Sequence, residues 1–137
     1  MAEPVPAAAQ ASLSVERVFR ALADPTRVRI LNLLRDGALC VGDLVSVLAV
    51  PQPATSRHLA YLRKSGLVAD ERRGQWAFYK LAPPATGFHA RVLDCLHAAG
   101  SHQTRKDQAA LRALRRAGGC CPQHARPTRG TDGRRSH

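Results

Sequence analysis

Two helical patterns separated by a turn, with a β-hairpin pattern directly after them, constrain the fold of this sequence more than any other feature. Apolar residues recur at helical spacing within residues 43–48, and Pro51 and Pro53 then mark a turn. That turn opens a second helix, which runs to Lys64 and is ended at Gly66. The sequence therefore predicts a helix, a turn and a helix in immediate succession.

The segment that follows these two helices has the pattern of a β-hairpin. β-prone residues at 67–72 and 75–81 meet at Arg73 and Gly74. Such a hairpin beside a helix-turn-helix would be a wing. The predicted fold class is mainly α with a small β-hairpin, that is, a winged helix-turn-helix.

Periodicity and capping signals predict further helices on both sides of this unit. Asp24 followed by Pro25 marks a helix start, because the carboxylate caps free amide groups and the missing N–H of proline costs nothing in the first turn. The apolar residues of the first helix share one face: Val15, Val18, Phe19 and Leu22. The predicted helices cover residues 15–22, 25–34, about 86–99 and about 107–117.

These elements predict one folded domain between two irregular ends. We expect a flexible arm over residues 1–12, a winged-helix domain for DNA binding and dimerisation over 13–117, and a Cys-containing basic flexible tail over 118–137. The helix near 86–99 is the expected dimer element, which makes the predicted protein homodimeric. A length of 137 residues argues against a large enzyme with a deep cleft.

The charge of the chain indicates a polyanionic partner. Lys and Arg number 21 against 10 for Asp and Glu, for a net charge of +11. Aromatic residues make up only 4%, which favours double-stranded DNA over unpaired bases. We expect a cytoplasmic protein with no membrane partner, because neither a signal peptide nor an apolar run of membrane-spanning length is present. No catalytic spacing stands out, so we expect no enzyme.

The helix from about residue 52 to Lys64 has the composition of a DNA-reading helix. Thr55, Leu59 and Leu62 share the face expected to meet the core. The candidate DNA contacts are on the remaining surface of this helix and at the hairpin tip: Gln52, Ser56, Arg57, His58, Tyr61, Arg72 and Arg73. The alternative is an ordinary solvated basic face. The hairpin aromatics Trp76, Phe78 and Tyr79 are expected to pack on the helices.

Four stretches, in this order, carry a resemblance to a known family: LADPTRVRIL at residues 22–31, CVGDL at 40–44, QPATSRHLAYLRKSGLV at 52–68 and RRGQWAFYKL at 72–81. They resemble the ArsR/SmtB family of winged-helix repressors. The resemblance implies a homodimer that binds a palindromic operator and releases it when a metal ion, a metalloid ion or another inducer binds. Pro51 departs from the family pattern, which usually has a serine-type helix cap there.

The positions of the cysteines indicate which kind of ion the inducer is. Arsenic-responsive members of the family often carry a Cys-Val-Cys pair, and the matching stretch here is Cys40-Val41-Gly42, so that site lacks a ligand. Cys40 is the less favoured metal ligand and is expected to be a buried small residue. The expected ligands of As(III) or Sb(III), which favour three sulfurs, are Cys95, Cys120 and Cys121. This arrangement resembles family members with a C-terminal metalloid site.

Several alternatives to this site stay open. Cys95 also lies on an apolar stripe and is equally explained by packing. Zn or Cd sensing is the nearest competitor, because acidic and imidazole groups surround Cys95 and the tail: His89, Asp94, His97, His102 and His124. A thiol-redox switch between Cys95 and a tail cysteine is another. From a different class, a basic metal-buffering or metal-transfer protein would use the thiols without DNA. In a reducing compartment, the four cysteines are expected to be thiols or metal ligands rather than a disulfide framework.

Overall fold

The computed structural model describes residues 14–119. Its elements follow in the order α1 (Val15–Leu22), α2 (Pro25–Leu33), a 3-10 turn (Leu34–Asp36), β1 (Leu39–Cys40), α3 (Val41–Leu48), α4 (Gln52–Lys64), β2 (Val68–Arg73), β3 (Trp76–Leu81), α5 (Gly87–Ala99) and α6 (His102–Arg116). The predicted class, mainly α with a small sheet, is confirmed. No helix within the described residues is long and apolar enough to cross a membrane.

Side-chain caps set where most helices begin. The Asp24 carboxylate accepts hydrogen bonds from the backbone N–H groups of Thr26 (2.8 Å) and Arg27 (3.2 Å), as the sequence predicts. At α3 the cap is a sulfur, because Cys40 Sγ accepts from the Asp43 N–H at 3.4 Å. The start of α4 has proline at its N-cap position and no side-chain cap, in line with the departure at Pro51.

The sheet places the wing beside the helix-turn-helix. All three strands are antiparallel, in the order β1-β3-β2. β1 is only two residues long and pairs Leu39 with Tyr79 and Cys40 with Phe78. The β2–β3 loop turns at Gly74, whose φ of +65° is a conformation that glycine adopts without strain. The strand pairing at β1 therefore fixes the base of the wing to the start of α3.

The sequence misses one strand, and two of the predicted helix starts are wrong. The sequence predicts no strand before α3, and α3 itself begins at Val41 rather than at 43 because Cys40 caps it. α6 begins at His102, five positions before the predicted start at 107. Its cap is Ser101, whose Oγ accepts from the Thr104 N–H at 3.1 Å. The first turn of α6 is polar, so apolar periodicity does not reveal it.

One apolar core joins the helices, and its centre is α2. The fully buried side chains include Ile30, Leu31, Leu33, Leu34, Leu44, Leu59, Leu62, Leu67 and Leu111. The first helix contributes less than its apolar face predicts. Val18 is buried, but Val15 is 47% and Phe19 is 55% exposed. Phe19 instead meets Phe88 of α5 edge to face, with ring centroids 5.7 Å apart. Half of the apolar face of α1 is thus left at the surface of the protomer.

Polar contacts join α6 to α2, and most of them involve one buried carboxylate. Asp107 is 4% exposed and accepts from Arg29 Nε at 2.9 Å and from Arg29 Nη2 at 3.0 Å. Its hydrogen bond raises the pKa of the Arg29 guanidinium above the ordinary value. Gln103 Nε2 donates to the same carboxylate at 2.9 Å, and Gln108 Nε2 donates to the Asn32 carbonyl at 2.9 Å.

We expect Asp107→Ala to lower the free energy of unfolding by about 2–4 kcal/mol, because it leaves the half-buried Arg29 guanidinium without its counter-ion. Urea unfolding followed by circular dichroism measures this. Lys106→Ala, on an exposed position of the same helix, is the control and is expected to change stability by less than about 0.5 kcal/mol. Equal stability of both variants would contradict the role given to the Arg29–Asp107 pair.

Candidate nucleic-acid interface

α4 presents one buried face and one exposed face, as its sequence predicts. Thr55, Leu59 and Leu62 are fully buried. The Thr55 hydroxyl donates to the Val50 carbonyl at 3.3 Å and so fastens the first turn of α4 to the chain before it. The exposed residues in the N-terminal half of α4 include Gln52, Ser56 and Arg57. This surface carries amide, hydroxyl and guanidinium groups, the donors that reach base edges in a major groove.

Arg27 of α2 holds the side of α4 that carries His58 and Tyr61. Arg27 Nη1 is 3.3 Å from His58 Nδ1, and the guanidinium carbon is 4.1 Å from the centroid of the Tyr61 ring. Because a guanidinium only donates, His58 Nδ1 accepts, and the neutral ring carries its proton on Nε2. Arg27 Nε and Nη2 also donate to the carbonyls of Ala21 (2.8 Å) and Arg20 (3.0 Å). His58 and Tyr61 are therefore held by α2 while part of each remains exposed.

The two arginines of the wing differ in their surroundings. Arg72 is exposed, and its Nη1 donates to the Gln75 carbonyl at 3.3 Å. Arg73 lies 4.4 Å from the Phe78 ring centroid and pairs with Glu71 at 3.0 Å. The hydrogen bond from Arg73 lowers the pKa of Glu71. Of the two, Arg72 is the side chain available to a phosphate group.

The hairpin aromatics pack as predicted. Phe78 is buried beside Cys40, with Trp76 partly buried against this pair. Tyr79 is partly buried against the main core. Within the protomer, Phe78 is thus buried, and Trp76 and Tyr79 are partly buried.

We expect Arg57→Ala to weaken operator binding by about 1–3 kcal/mol while affecting random duplex less, because Arg57 is exposed on α4, the helix expected to read bases. Arg72→Ala is expected to weaken binding to all sequences alike, since phosphate contacts carry no sequence information. Fluorescence anisotropy with both duplexes measures the two effects. Unchanged affinity in both variants would contradict the docking of α4 and the wing.

The cysteines occupy different environments. Cys95 is an exposed free thiol on α5, so packing within the protomer does not explain it. Cys40 is buried as expected, but it takes part in a disulfide bond, which corrects the expectation of thiols only. Cys120 and Cys121 lie outside the described residues. Within residues 14–119, no three His, Cys, Asp or Glu side chains form a group that would hold a metal ion.

The histidines proposed for zinc lie in different places. His89 is 2% exposed, and its Nδ1 accepts from the Ala85 N–H at 3.2 Å. Desolvation lowers the pKa of His89, and desolvation and the charge of Arg35 lower the pKa of His97. His102 is exposed at the start of α6. His124 lies outside the described residues.

Comparison with known proteins places this arrangement in a family. The sequence model described as "Bacterial regulatory protein, arsR family" matches residues 24–70, from the cap of α2 into β2. The chain is also 43% identical over 101 residues to the arsenical resistance operon repressor of Escherichia coli K12, a match covering 73% of this chain and 84% of that protein. The chain belongs to the ArsR family. It is a DNA-binding transcriptional repressor of the ArsR/SmtB type and not an enzyme.

Solved structures agree with this assignment of the ArsR-family fold. HlyU from Vibrio cholerae N16961 is 36% identical, with a TM-score of 0.55 over 61% of this chain and 88% of that one. A homodimeric winged helix-turn-helix DNA-binding domain from Mycobacterium bovis is 28% identical, with a TM-score of 0.55 over 72% of this chain and 89% of that one. The predicted winged helix-turn-helix is thereby confirmed.

Sequence patterns did not reveal Arg27 as part of the interface. It lies in the first turn of α2, and its partners are 31 and 34 positions away in the sequence. Its only local signal is a position just after the Asp24–Pro25 helix start, where an arginine is unremarkable as a surface residue. The contact exists because α2 crosses α4.

Proposed function

We propose that this chain is a homodimeric repressor that binds a palindromic operator and releases it when cysteine thiolates take up As(III) or Sb(III). The observation that carries the proposal is the 43% identity to the E. coli arsenical resistance operon repressor over most of that protein. α4 enters a major groove through Gln52, Ser56 and Arg57, and Arg72 at the tip of the wing meets the phosphate backbone. The protein acts in the cytoplasm, where thiols stay reduced.

Exposed apolar surface supports the homodimer. Two large apolar side chains of α1, Val15 and Phe19, are exposed. The Phe19 ring contacts Phe88 of α5. A second copy that covers this surface removes it from water. The M. bovis relative with this fold is homodimeric. Two copies related by a two-fold axis place two α4 helices on the two halves of a palindrome.

Thiol chemistry supports a thiophilic inducer. Three thiolates in a pyramid suit As(III) and Sb(III), and Cys95, Cys120 and Cys121 are the proposed ligands. The described residues hold no complete metal site by themselves, so the tail cysteines are essential to this proposal. Cys40 is the fourth candidate. Binding shifts the equilibrium from a DNA-competent dimer to one with misplaced α4 helices.

A thiol-redox switch is the second candidate, and the disulfide bond of Cys40 favours it. Cys40 caps α3, the first helix of the helix-turn-helix, and it pairs with β3 at the base of the wing. Oxidation and reduction at this sulfur therefore act directly beside the DNA-binding motif. Zn or Cd sensing is a further alternative; in the structure His89 Nδ1 already accepts from the Ala85 N–H.

Operator release in a gel-shift assay tests the proposal. The reduced protein is titrated in parallel with As(III), Sb(III), Cd(II), Zn(II) and peroxide, on a duplex that the protein itself has selected from a random pool. Release by As(III) or Sb(III) alone is the expected result. Release by peroxide that dithiothreitol reverses would favour the redox switch. A protein that selects no sequence but takes up metal would be a metal-buffering or metal-transfer protein.

A further inference from the structure

A basic cavity lies beside the C-terminal half of α4, on the side that faces α1. It has a volume of about 280 Å³ and is lined by Arg17, Arg20, Tyr61, Lys64 and Ser65. Arg17 Nη1 donates to the Lys64 carbonyl at 3.5 Å, which ties α1 to the end of α4. The cavity therefore collects three cations from two helices and no acidic side chain.

These three cations are not paired with carboxylates. In the part of the chain that the structure describes, the ion pairs use Arg29, Arg63, Arg73 and Lys80. Arg17, Arg20 and Lys64 take part in none of them, and all three are exposed. Unpaired cations that converge on one cavity attract an anion with several acceptor oxygens.

The cavity and the wing lie on opposite sides of α4. On one side, Arg63 approaches Asp70 of β2, with its Nη1 3.9 Å from the carboxylate. On the other side, Tyr61 and Lys64 line the cavity with α1. The buried face of α4 lies against the core, so its exposed face has a basic element on each flank. A helix in a major groove likewise has a phosphate backbone on each flank.

We propose that Arg17, Arg20 and Lys64 form a cradle for backbone phosphates of DNA, on the flank of α4 opposite the wing. The proposal rests on the docking of α4 given above, and it extends the DNA contact to α1. Arg17 and Arg20 donate to phosphate oxygens, and Lys64 adds a charge from α4 itself. These contacts position the duplex without reading its sequence.

The salt dependence of DNA binding tests the cradle. For the double variant Arg17→Ala with Arg20→Ala, we expect the slope of log Kobs against log salt concentration to become shallower by about 3.6 for the bound dimer, which is about 0.9 for each of the four phosphates lost, two per protomer. The loss of affinity is expected to be equal for the selected duplex and for a random duplex. The double variant Arg17→Lys with Arg20→Lys is expected to keep most of the slope.

A control variant with the same net charge distinguishes local phosphate contacts from the electrostatic attraction of the whole protein for DNA. The double variant Arg112→Ala with Arg116→Ala removes two exposed charges from α6, which packs on α2 and α3, and is expected to keep the slope. Equal slopes in both charge-deleted variants would overturn the cradle, provided thermal melting shows both folded. Binding of inorganic pyrophosphate at the cavity with an unchanged DNA slope would also overturn it. If the wild type selects no sequence, the repressor proposal fails, while the slope on random duplex still decides the cradle.

Discussion

Cys120→Ser and Cys121→Ser are each expected to leave operator affinity unchanged and to weaken release by As(III) or Sb(III) by about tenfold or more, since the hydroxyl of serine is a poor ligand for a soft ion. Serine keeps the approximate size of cysteine, so the substitution tests coordination at little structural cost. Fluorescence anisotropy of a labelled operator, titrated with metalloid at fixed protein concentration, measures the effect.

The two remaining cysteines distinguish the proposed sites. Cys95→Ser is expected to behave like the tail variants, because Cys95 is a free and exposed thiol. Cys40→Ser is expected to keep the metalloid response, and under the redox candidate it loses the response to peroxide. Loss of metalloid release in the Cys40 variant alone would move the site to the start of α3. Release in all four single variants would reject thiol sensing.

Arg27→Ala is expected to lower the free energy of unfolding by about 3 kcal/mol and to weaken operator binding as well. It removes two charged hydrogen bonds to carbonyls at the end of α1, each worth about 1.5 kcal/mol or more. It also removes the contacts to His58 and Tyr61, so this side of α4 is held by α2 only through the apolar core. Urea unfolding and operator anisotropy together measure the two effects.

Two further variants test the contribution of Arg27 to stability and to operator binding. Arg27→Lys keeps the charge but has a single head group, so it is expected to lie between wild type and alanine in both measurements. Arg105→Ala removes an exposed arginine from α6 and is expected to behave like wild type. An Arg27→Ala variant as stable as Arg105→Ala would show that the contacts to α1 and α4 carry no free energy.

Signals that act over a few residues were enough to predict several elements of this fold from the sequence. The start of α2 at Asp24 and Pro25, the buried face of α4 and the strands of the wing follow from caps and from periods of 3.6 and 2 residues. Each of these signals acts over a few residues, so no distant partner is needed to recognise it. The helix-turn-helix and its outward Arg57 were therefore predictable.

Contacts between distant segments were decided only by the tertiary structure. β1 is too short to show a strand pattern and exists because it pairs with β3. Asp107 meets Arg29 across 78 positions of the sequence. The exposure of Phe19 and the disulfide bond of Cys40 likewise depend on which surfaces the folded chain brings together. A sequence pattern specifies which face of an element is apolar or charged, but the packing of the elements specifies what that face meets.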